Sequence, residues 1–311
     1  MKKIVTIPIF CESHLVKYQI PNLIDTINPD IIIYNEGMFP SGTEGTKKID
    51  EDWIKKYTLN GEGKRGFDFY KLEKIIEDAQ QEYPNVKIIL NKMDYSDCID
   101  KGKYDFVGTK CYVKANTNFS ELGIELEEGD FIFPLEGDTF HHEKSKPAID
   151  YFIENLKPDE GIRSVVVDFI QNQYYTEHVN WQEYNGISPL SPLNKFAKKR
   201  RFCVCYGTEE FYESVLANFM TQKYDMLYLG ELVTYHYAWW RPGKYLDLRC
   251  EQLDRPKEYW ESYLKGMEQA KKAEDDLIVV RPQSSIEARR YLKKINIEHP
   301  KHIVNHPNYL K

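Results

Sequence analysis

The sequence predicts an α/β fold built on a mainly parallel sheet, and three observations carry that prediction. Strand-like, helical and strand-like runs follow one another between Lys3 and Tyr34, the pattern of a βαβ unit. Such a unit joins parallel neighbours by a right-handed crossover. Next, Asp68–Glu82 carries Phe69, Leu72, Ile75, Ile76 and Ala79 at helical spacing and leads into another apolar run, Val86–Leu90. Finally, a fourth apolar run, Phe131–Leu135, follows the turn Glu127–Asp130 and ends in two carboxylates, Glu136 and Asp138, with Gly137 between them.

Taken in order, Lys3–Phe10 reads as the first strand, closed by Cys11–His14. A helical region to about Thr26 follows, marked by Leu15, Val16, Ile20, Leu23 and Ile24, with Pro21 expected to start or kink the main helix. The second strand, Asp30–Tyr34, ends at Asn35-Glu36-Gly37. Residues 38–66 read as a long loop with a short helix near Asp52–Tyr57, and hold no phosphate-loop pattern. A helix is expected over Lys110–Leu126, carrying Lys110 and Lys114 toward the end of the fourth strand. Pro147–Leu156 reads as a helix and Arg163–Ile170 as a strand. Gln171–Leu193 is loop-like, Lys198–Arg201 is a basic cluster expected on a surface turn, and Phe202–Tyr206 alternates like a strand. A helix over Glu209–Phe219 and a short strand over Asp225–Leu229 come next. Helices over Lys257–Ala273 and Ser284–Lys294 give a helical C-terminal extension, 256–311, packed on a domain of residues 1–255.

Composition narrows the function classes. With 311 residues, 41% hydrophobic and 29% charged, the chain is globular rather than disordered. No apolar run approaches the ~20 residues that span a bilayer. Met1–Pro8 passes straight into a strand-like run, without the long apolar segment of a signal peptide. The six cysteines, Cys11, Cys98, Cys111, Cys203, Cys205 and Cys250, show neither a CxxC pair nor zinc spacing. A reduced, cytoplasmic chain is therefore expected, in a host cytoplasm if the source is viral. The net charge of −7 argues against a general nucleic-acid coat. The 23 tyrosines suit sugar or base stacking as well as an aromatic core.

The acidic pair is the chemical signal. Carboxylates at the end of a buried strand are costly unless something compensates them. In an open α/β sheet that end is also where ligands bind. A divalent cation carrying a diphosphate meets both conditions, because hard cations take carboxylate oxygens and share phosphate oxygens. Gly137 would let the backbone approach the ligand. The competing reading is a plain strand followed by a solvated acidic turn. His141, His142 and Glu143 lie close by, but adjacent histidines would not both face one ion, and a surface position is expected for them.

The order of strands, with Gly129-Asp130, the apolar run and Glu136-Gly137-Asp138 at the fourth, resembles the GT-A glycosyltransferases, most closely the family 2 type. Those enzymes carry a Gly-Asp, apolar strand, Asp-x-Asp signature, and here Glu136 stands for the first Asp. The resemblance covers roughly residues 3–255. It implies a Rossmann-like GT-A sheet with a nucleotide-binding half of about 1–140 and an acceptor half of about 141–255. It also implies Mn²⁺ or Mg²⁺ as cofactor and a nucleotide-diphosphate sugar, most readily a UDP-sugar, as donor. Glu136 and Asp138 would hold the metal. Tyr235–Arg241 resembles the metal-binding histidine and donor-closing loop of such enzymes, which makes His236 a third ligand. Trp240, Arg241 and Lys244 would then lie at the diphosphate, with Lys110 or Lys114 as the family's basic residue. Pro8, Phe10, Glu12, Asn35, Glu36 and Asp94, at the ends of the first three strands, would contact the nucleoside.

An inverting transferase needs a carboxylate to deprotonate the acceptor hydroxyl. Asp168, Glu209 and Glu210 are the candidates, and Glu209 and Glu210 equally suit the first turn of a helix. The expected partners are a nucleotide sugar and a hydroxyl acceptor, a glycan or small molecule. One alternative is a hydroxymethylated base in DNA, with Lys198–Arg201 on phosphates. A nucleotidyltransferase and a non-enzymatic carbohydrate-binding protein are the readings from other classes.

Overall fold

The computed structural model describes residues 1–9, 13–36, 72–92, 117, 119–169, 175–178, 199–208, 232–237, 277–280, 290–294, 297–307 and 309. Its elements in chain order begin with β1 (Lys3–Ile9), α1 (Ser13–Thr26), β2 (Ile31–Glu36), α2 (Leu72–Glu82) and β3 (Lys87–Lys92). They continue with β4 (Phe131–Pro134), β5 (Thr139–His141), a 3₁₀ turn at Glu143–Ser145, α3 (Lys146–Asn155) and β6 (Gly161–Asp168). Then follow β7 (Tyr175–His178), β8 (Lys199–Cys205), β9 (Val233–His236), β10 (Leu277–Val280), β11 (Arg290–Lys294) and a 3₁₀ turn at Ile303–Asn305.

Eight strands form one mixed sheet in the order β3-β2-β1-β4-β8-β6-β9-β5. The β3-β2-β1-β4 half is parallel throughout, β6 and β9 are also parallel, and the remaining pairs are antiparallel. The α/β class with a mainly parallel, helix-flanked sheet is thus the one the sequence predicts. The chain runs outward from β1 to β2 and β3, then returns to place β4 on the other side of β1. That reversal puts a topological switch point between β1 and β4, and in open α/β sheets ligands bind outside the strands' carboxyl ends at such a point.

Strand alternation explains the two faces. Val5, Ile7, Ile9, Ile32, Tyr34, Ile88, Phe131 and Phe133 share the face that packs on the helices. Val16, Ile20, Leu23 and Ile27 of α1, Leu72, Ile76 and Ala79 of α2, and Ala148, Ile149 and Phe152 of α3 complete that core. Ile4, Ile33 and Ile132 point the other way, against Phe119 and Ile124. Pro21 sits inside α1, which continues through it from Ser13 to Thr26.

Several expected elements take a different form. The described part of the helix expected over Lys110–Leu126 is a single turn ended by Gly123, whose φ is 66°. Ile124 N–H donates to the Phe119 carbonyl at 2.8 Å and Gly123 N–H to that of Ser120 at 3.0 Å. This is the six-to-one and five-to-two pairing of a Schellman motif, completed by packing between Phe119 and Ile124. The expected loop Gln171–Leu193 contains β7, which pairs with β11, and β10-β11-β7 make a second, antiparallel sheet. Arg290–Lys294 therefore lies in a central strand rather than in the helix expected over Ser284–Lys294. Its helix-favouring Arg, Leu and Lys are overridden by two-sided pairing. The C-terminal extension is thus not purely helical; the helix expected over Lys257–Ala273 lies outside the described residues. Residues 199–201 of the basic cluster are not a surface turn but the start of β8, paired to Val165, Ser164 and Arg163.

Among the described residues no helix is long and apolar enough to cross a membrane. Cys203 and Cys205 are buried and free, and burial pushes both thiols up, that of Cys205 to about 11. They are held as thiols rather than reactive thiolates.

Phe133 has no exposed surface and meets Phe202 edge to face, with ring centroids 5.4 Å apart. Phe133→Ala should cost about 3–5 kcal/mol in urea unfolding, whereas Tyr151→Ala, at a side chain 57% exposed, should change stability by less than about 0.5 kcal/mol.

Candidate metal centre

The turn after β4 carries Glu136 and Asp138, and β9 brings in His236. All three side chains are buried, and one ligand atom of each lies within 4.8 Å of the others. His236 Nε2 is 3.1 Å from Asp138 Oδ1 and 3.6 Å from Glu136 Oε2. Among the described residues this is the one cluster of three such groups that could hold a metal ion. Burial of all three side chains excludes the solvated acidic turn.

Local structure explains why these groups converge. Leu135 N–H donates to the Thr6 carbonyl at 3.0 Å, which carries the chain past β4 alongside β1. The turn then closes on itself: Thr139 N–H and Oγ1 both donate to the Glu136 carbonyl, at 3.2 and 2.8 Å. Its return strand, β5, pairs with β9 so that Thr139 stands opposite His236. Tyr237 N–H donates to the Asp138 carbonyl at 2.8 Å, tying the two ligand-bearing segments together. Phe169 N–H donates to the His236 carbonyl at 2.8 Å from the other side.

α1 holds the turn from below. Gln19 Nε2 donates to the carbonyls of Glu136 and Thr139, at 2.8 and 3.0 Å, and Tyr34 Oη donates to Gln19 Oε1 at 3.2 Å. Asn22 pairs with both backbone groups of His141, donating at 2.7 Å and accepting at 3.0 Å. Gln19 and Asn22 are fully buried, and neither is among the site residues expected from sequence. A signal for them exists: Gln19, Asn22 and Thr26 form a polar stripe at helical spacing beside the apolar one. Polar groups in that position must find partners.

The other expected site residues divide into three sets. Pro8, Asn35 and Glu36 lie at the carboxyl ends of β1 and β2, with Pro8 opposite Asn35. Asn35 is buried; its amide donates to Thr117 Oγ1 at 2.9 Å and its carbonyl oxygen accepts from Asn91 Nδ2 at 2.8 Å. Asn91, half-buried at the end of β3, and Thr117 join this row without any sequence pattern to mark them. Gly137 lies in the turn itself, and Asp168 closes β6 as the register partner of His236. Phe10, Glu12, Asp94, Lys110, Lys114, Lys198, Glu209, Glu210, Trp240, Arg241 and Lys244 lie outside the described residues.

His141 and His142 are not surface histidines. His141 has no exposed surface and its ring meets Phe202 edge to face at 4.8 Å. His142 is 7% exposed, and its Nδ1 caps the 3₁₀ turn by accepting from Lys144 N–H at 3.1 Å. Pairing of β5 with β9 and the cover of α1 enclose both.

No described protein family and no curated protein matches the chain. Among solved structures, the crystal structure of residues 1–349 of S. aureus TarS has a TM-score of 0.33 at 10% identity, covering 86% of this chain and 70% of that one. The same S. aureus TarS fragment in complex with UDP has a TM-score of 0.31 at 10% identity, with 81% and 64% covered. S. aureus TarS itself has 0.31 at 10% identity, with 76% of this chain and 37% of that one covered. The chain thus spans only part of these proteins, and likeness at such TM-scores carries no argument about activity. The chemistry has to come from the side chains.

Burial lowers His141 to a pKa of about 4, and burial, with Lys17 nearby, does the same to His306. The unfolded rings titrate near 6.5, so between about pH 6.5 and 4 the unfolded state binds more protons and stability falls as pH drops. Each histidine contributes on the order of 3 kcal/mol to that loss. Urea titrations at pH 7 and pH 4 should show His141→Phe losing about 3 kcal/mol less than wild type over the interval.

Proposed function

We propose that the chain is a metal-dependent glycosyltransferase of the GT-A kind, moving a sugar from a nucleoside-diphosphate sugar to a hydroxyl acceptor. One observation carries the reading: two buried carboxylates and an imidazole converge at the carboxyl end of β4, beside the switch point between β1 and β4. Burying two carboxylates this close together is unfavourable without a cation between them. The donor set, two oxygens and one imidazole nitrogen, suits Mn²⁺ better than Mg²⁺, which prefers oxygen ligands and retained water. A metal-free, purely sugar-binding protein has no use for such a cluster. A nucleotidyltransferase finds no support in the Cys11–His14 segment, which is not the Gly-rich basic loop of that class. No observation among the described residues favours the DNA-acceptor alternative; residues 199–201 of its basic patch belong to β8.

In this reading the metal, when bound, neutralises charge developing on the departing diphosphate. Glu136, Asp138 and His236 hold it in place. The ends of β1, β2 and β3 take the nucleoside, with Asn91 and Asn35 as hydrogen-bonding groups whose orientation is set by Thr117. UDP is the nucleotide we assign, and the acceptor is a glycan or small molecule. We take Asp168, the register partner of His236 at the end of β6, as the candidate base, with Glu209 and Glu210 as the alternatives. Trp240, Arg241 and Lys244 follow His236 closely enough in sequence to reach the same diphosphate, Arg241 through paired hydrogen bonds and Lys244 as a point charge.

The test is hydrolysis or transfer of UDP-sugars with and without Mn²⁺. Activity should vanish in EDTA and return with added Mn²⁺. Asp138→Asn, which removes charge and keeps shape, should lower kcat/KM by at least about a hundredfold, roughly 2.7 kcal/mol of transition-state stabilisation, with Tm nearly unchanged. Full activity in EDTA, or a fully active Asp138→Asn enzyme, would overturn the assignment.

A further inference from the structure

Residues 297–307 and 309 lie across α1, the Glu143–Ser145 turn and β9. Lys301 Nζ pairs with Asp25 Oδ2 at 2.7 Å, and His302 also pairs with Asp25. Tyr18 Oη donates to the Asn305 carbonyl at 3.4 Å, and the His306 ring packs on Tyr18 and His14. Lys301 N–H donates to Glu143 Oε1 at 2.9 Å, and Lys144 pairs with Glu298. Ile303 has no exposed surface and joins the cluster of Leu15, Phe140, Val167, Phe169, Tyr235 and Tyr237.

The contacts with β9 are of a different kind, because they flank a metal-site residue. Tyr235 Oη donates to the Glu298 carbonyl at 3.1 Å, and Tyr237 Oη is hydrogen-bonded to His299 Nδ1 at 2.7 Å. In an extended strand Tyr235 and Tyr237 leave the backbone on the side opposite His236. The segment therefore presses on the back of the strand that presents His236 to Glu136 and Asp138. Tyr237 is also the residue whose N–H holds the Asp138 carbonyl. Its side chain is anchored to the C-terminal segment while its backbone is anchored to the metal-site turn. His299 is itself fixed, 6% exposed, with its ring 4.6 Å from that of Phe169 and 5.8 Å from that of Tyr309.

We propose that His299 and Tyr237 are positioning residues for the metal centre: their hydrogen bond sets the distance between β9 and the Glu136–Asp138 turn, so that the C-terminal segment determines metal affinity. The inference rests on the metal-binding reading above and goes beyond it, since neither residue touches the ion. An outer partner that orients metal ligands typically changes affinity by about 10–100-fold when removed. A mere strap over the surface would change stability and leave the affinity alone.

The experiment measures Mn²⁺ dissociation constants by electron paramagnetic resonance, with and without UDP, beside thermal melting. The set is wild type, His299→Ala, His299→Asn, Tyr237→Phe and Asp25→Asn. Asn can place an amide where Nδ1 stands. Tyr237→Phe removes one oxygen, which keeps the test decisive if His299→Ala does not fold. Asp25→Asn loosens the far end of the same segment. The expected result is Mn²⁺ binding weakened at least about tenfold in His299→Ala and Tyr237→Phe, restored in His299→Asn, and unchanged in Asp25→Asn despite a lower Tm. Wild-type affinity in Tyr237→Phe, or an equal weakening in Asp25→Asn, overturns the positioning role alone. Absence of Mn²⁺ binding by the wild type, even with UDP, overturns the metal-binding reading and this inference with it.

Discussion

Two carboxylates held within 4.8 Å of each other away from water are the constraint on which the architecture depends. At an effective dielectric constant of about 20, their repulsion is on the order of 3 kcal/mol or more. Left to itself the Glu136–Asp138 turn would swing outward and solvate both groups. What stops it is a set of backbone anchors: Thr139 on the Glu136 carbonyl, Gln19 from α1, Tyr237 on the Asp138 carbonyl, and Thr6 on Leu135. The imidazole of His236 then meets both carboxylates from β9. None of these anchors uses a carboxylate oxygen, so both acids remain directed at one point.

That arrangement follows from the order of the strands. The parallel β3-β2-β1-β4 block puts a switch point at the ends of β1 and β4, the place where open α/β sheets bind ligands. The further strands β8, β6, β9 and β5 extend the sheet and bring His236, from a distant part of the chain, back to the fourth strand's turn. The polar row at the ends of β2 and β3, Asn35 with Asn91, lies along the same edge of the sheet. In the proposed reading nucleoside and metal would bind along this same edge, where Asn35 is already hydrogen-bonded to Thr117 and Asn91.

Part of this is legible in the order of residues alone. The first four strands and three helices, α1, α2 and α3, are visible because apolar periodicity and turn residues agree with each other. Glu136 and Asp138 are visible because carboxylates closing an apolar run require an explanation, whereas His236 is marked only by the family resemblance. Gln19 and Asn22 show only as a polar stripe at helical spacing, which resembles ordinary polar surface until the neighbouring strand is known. The same ambiguity makes His141 and His142 look like surface residues. β5 is only three residues long, and no local pattern announces that it will pair with β9 and enclose them. β11 shows the opposite failure, a strongly helix-favouring segment turned into a strand by two partners at once.

The sequence by itself determined the α/β class, the parallel start of the sheet and the identity of the acidic pair. Those depend on local patterns: alternation, helical spacing, and a carboxylate pair following an apolar strand. Only the tertiary structure decided that the pair is buried, that β9 brings the His236 imidazole to 3.1 Å from Asp138, and that the C-terminal segment lies behind His236 through Tyr237 and His299. Each of these depends on residues separated by tens to hundreds of positions. Such contacts form when non-local strand pairing closes the chain, and nothing in a short window of sequence encodes which distant partner will arrive.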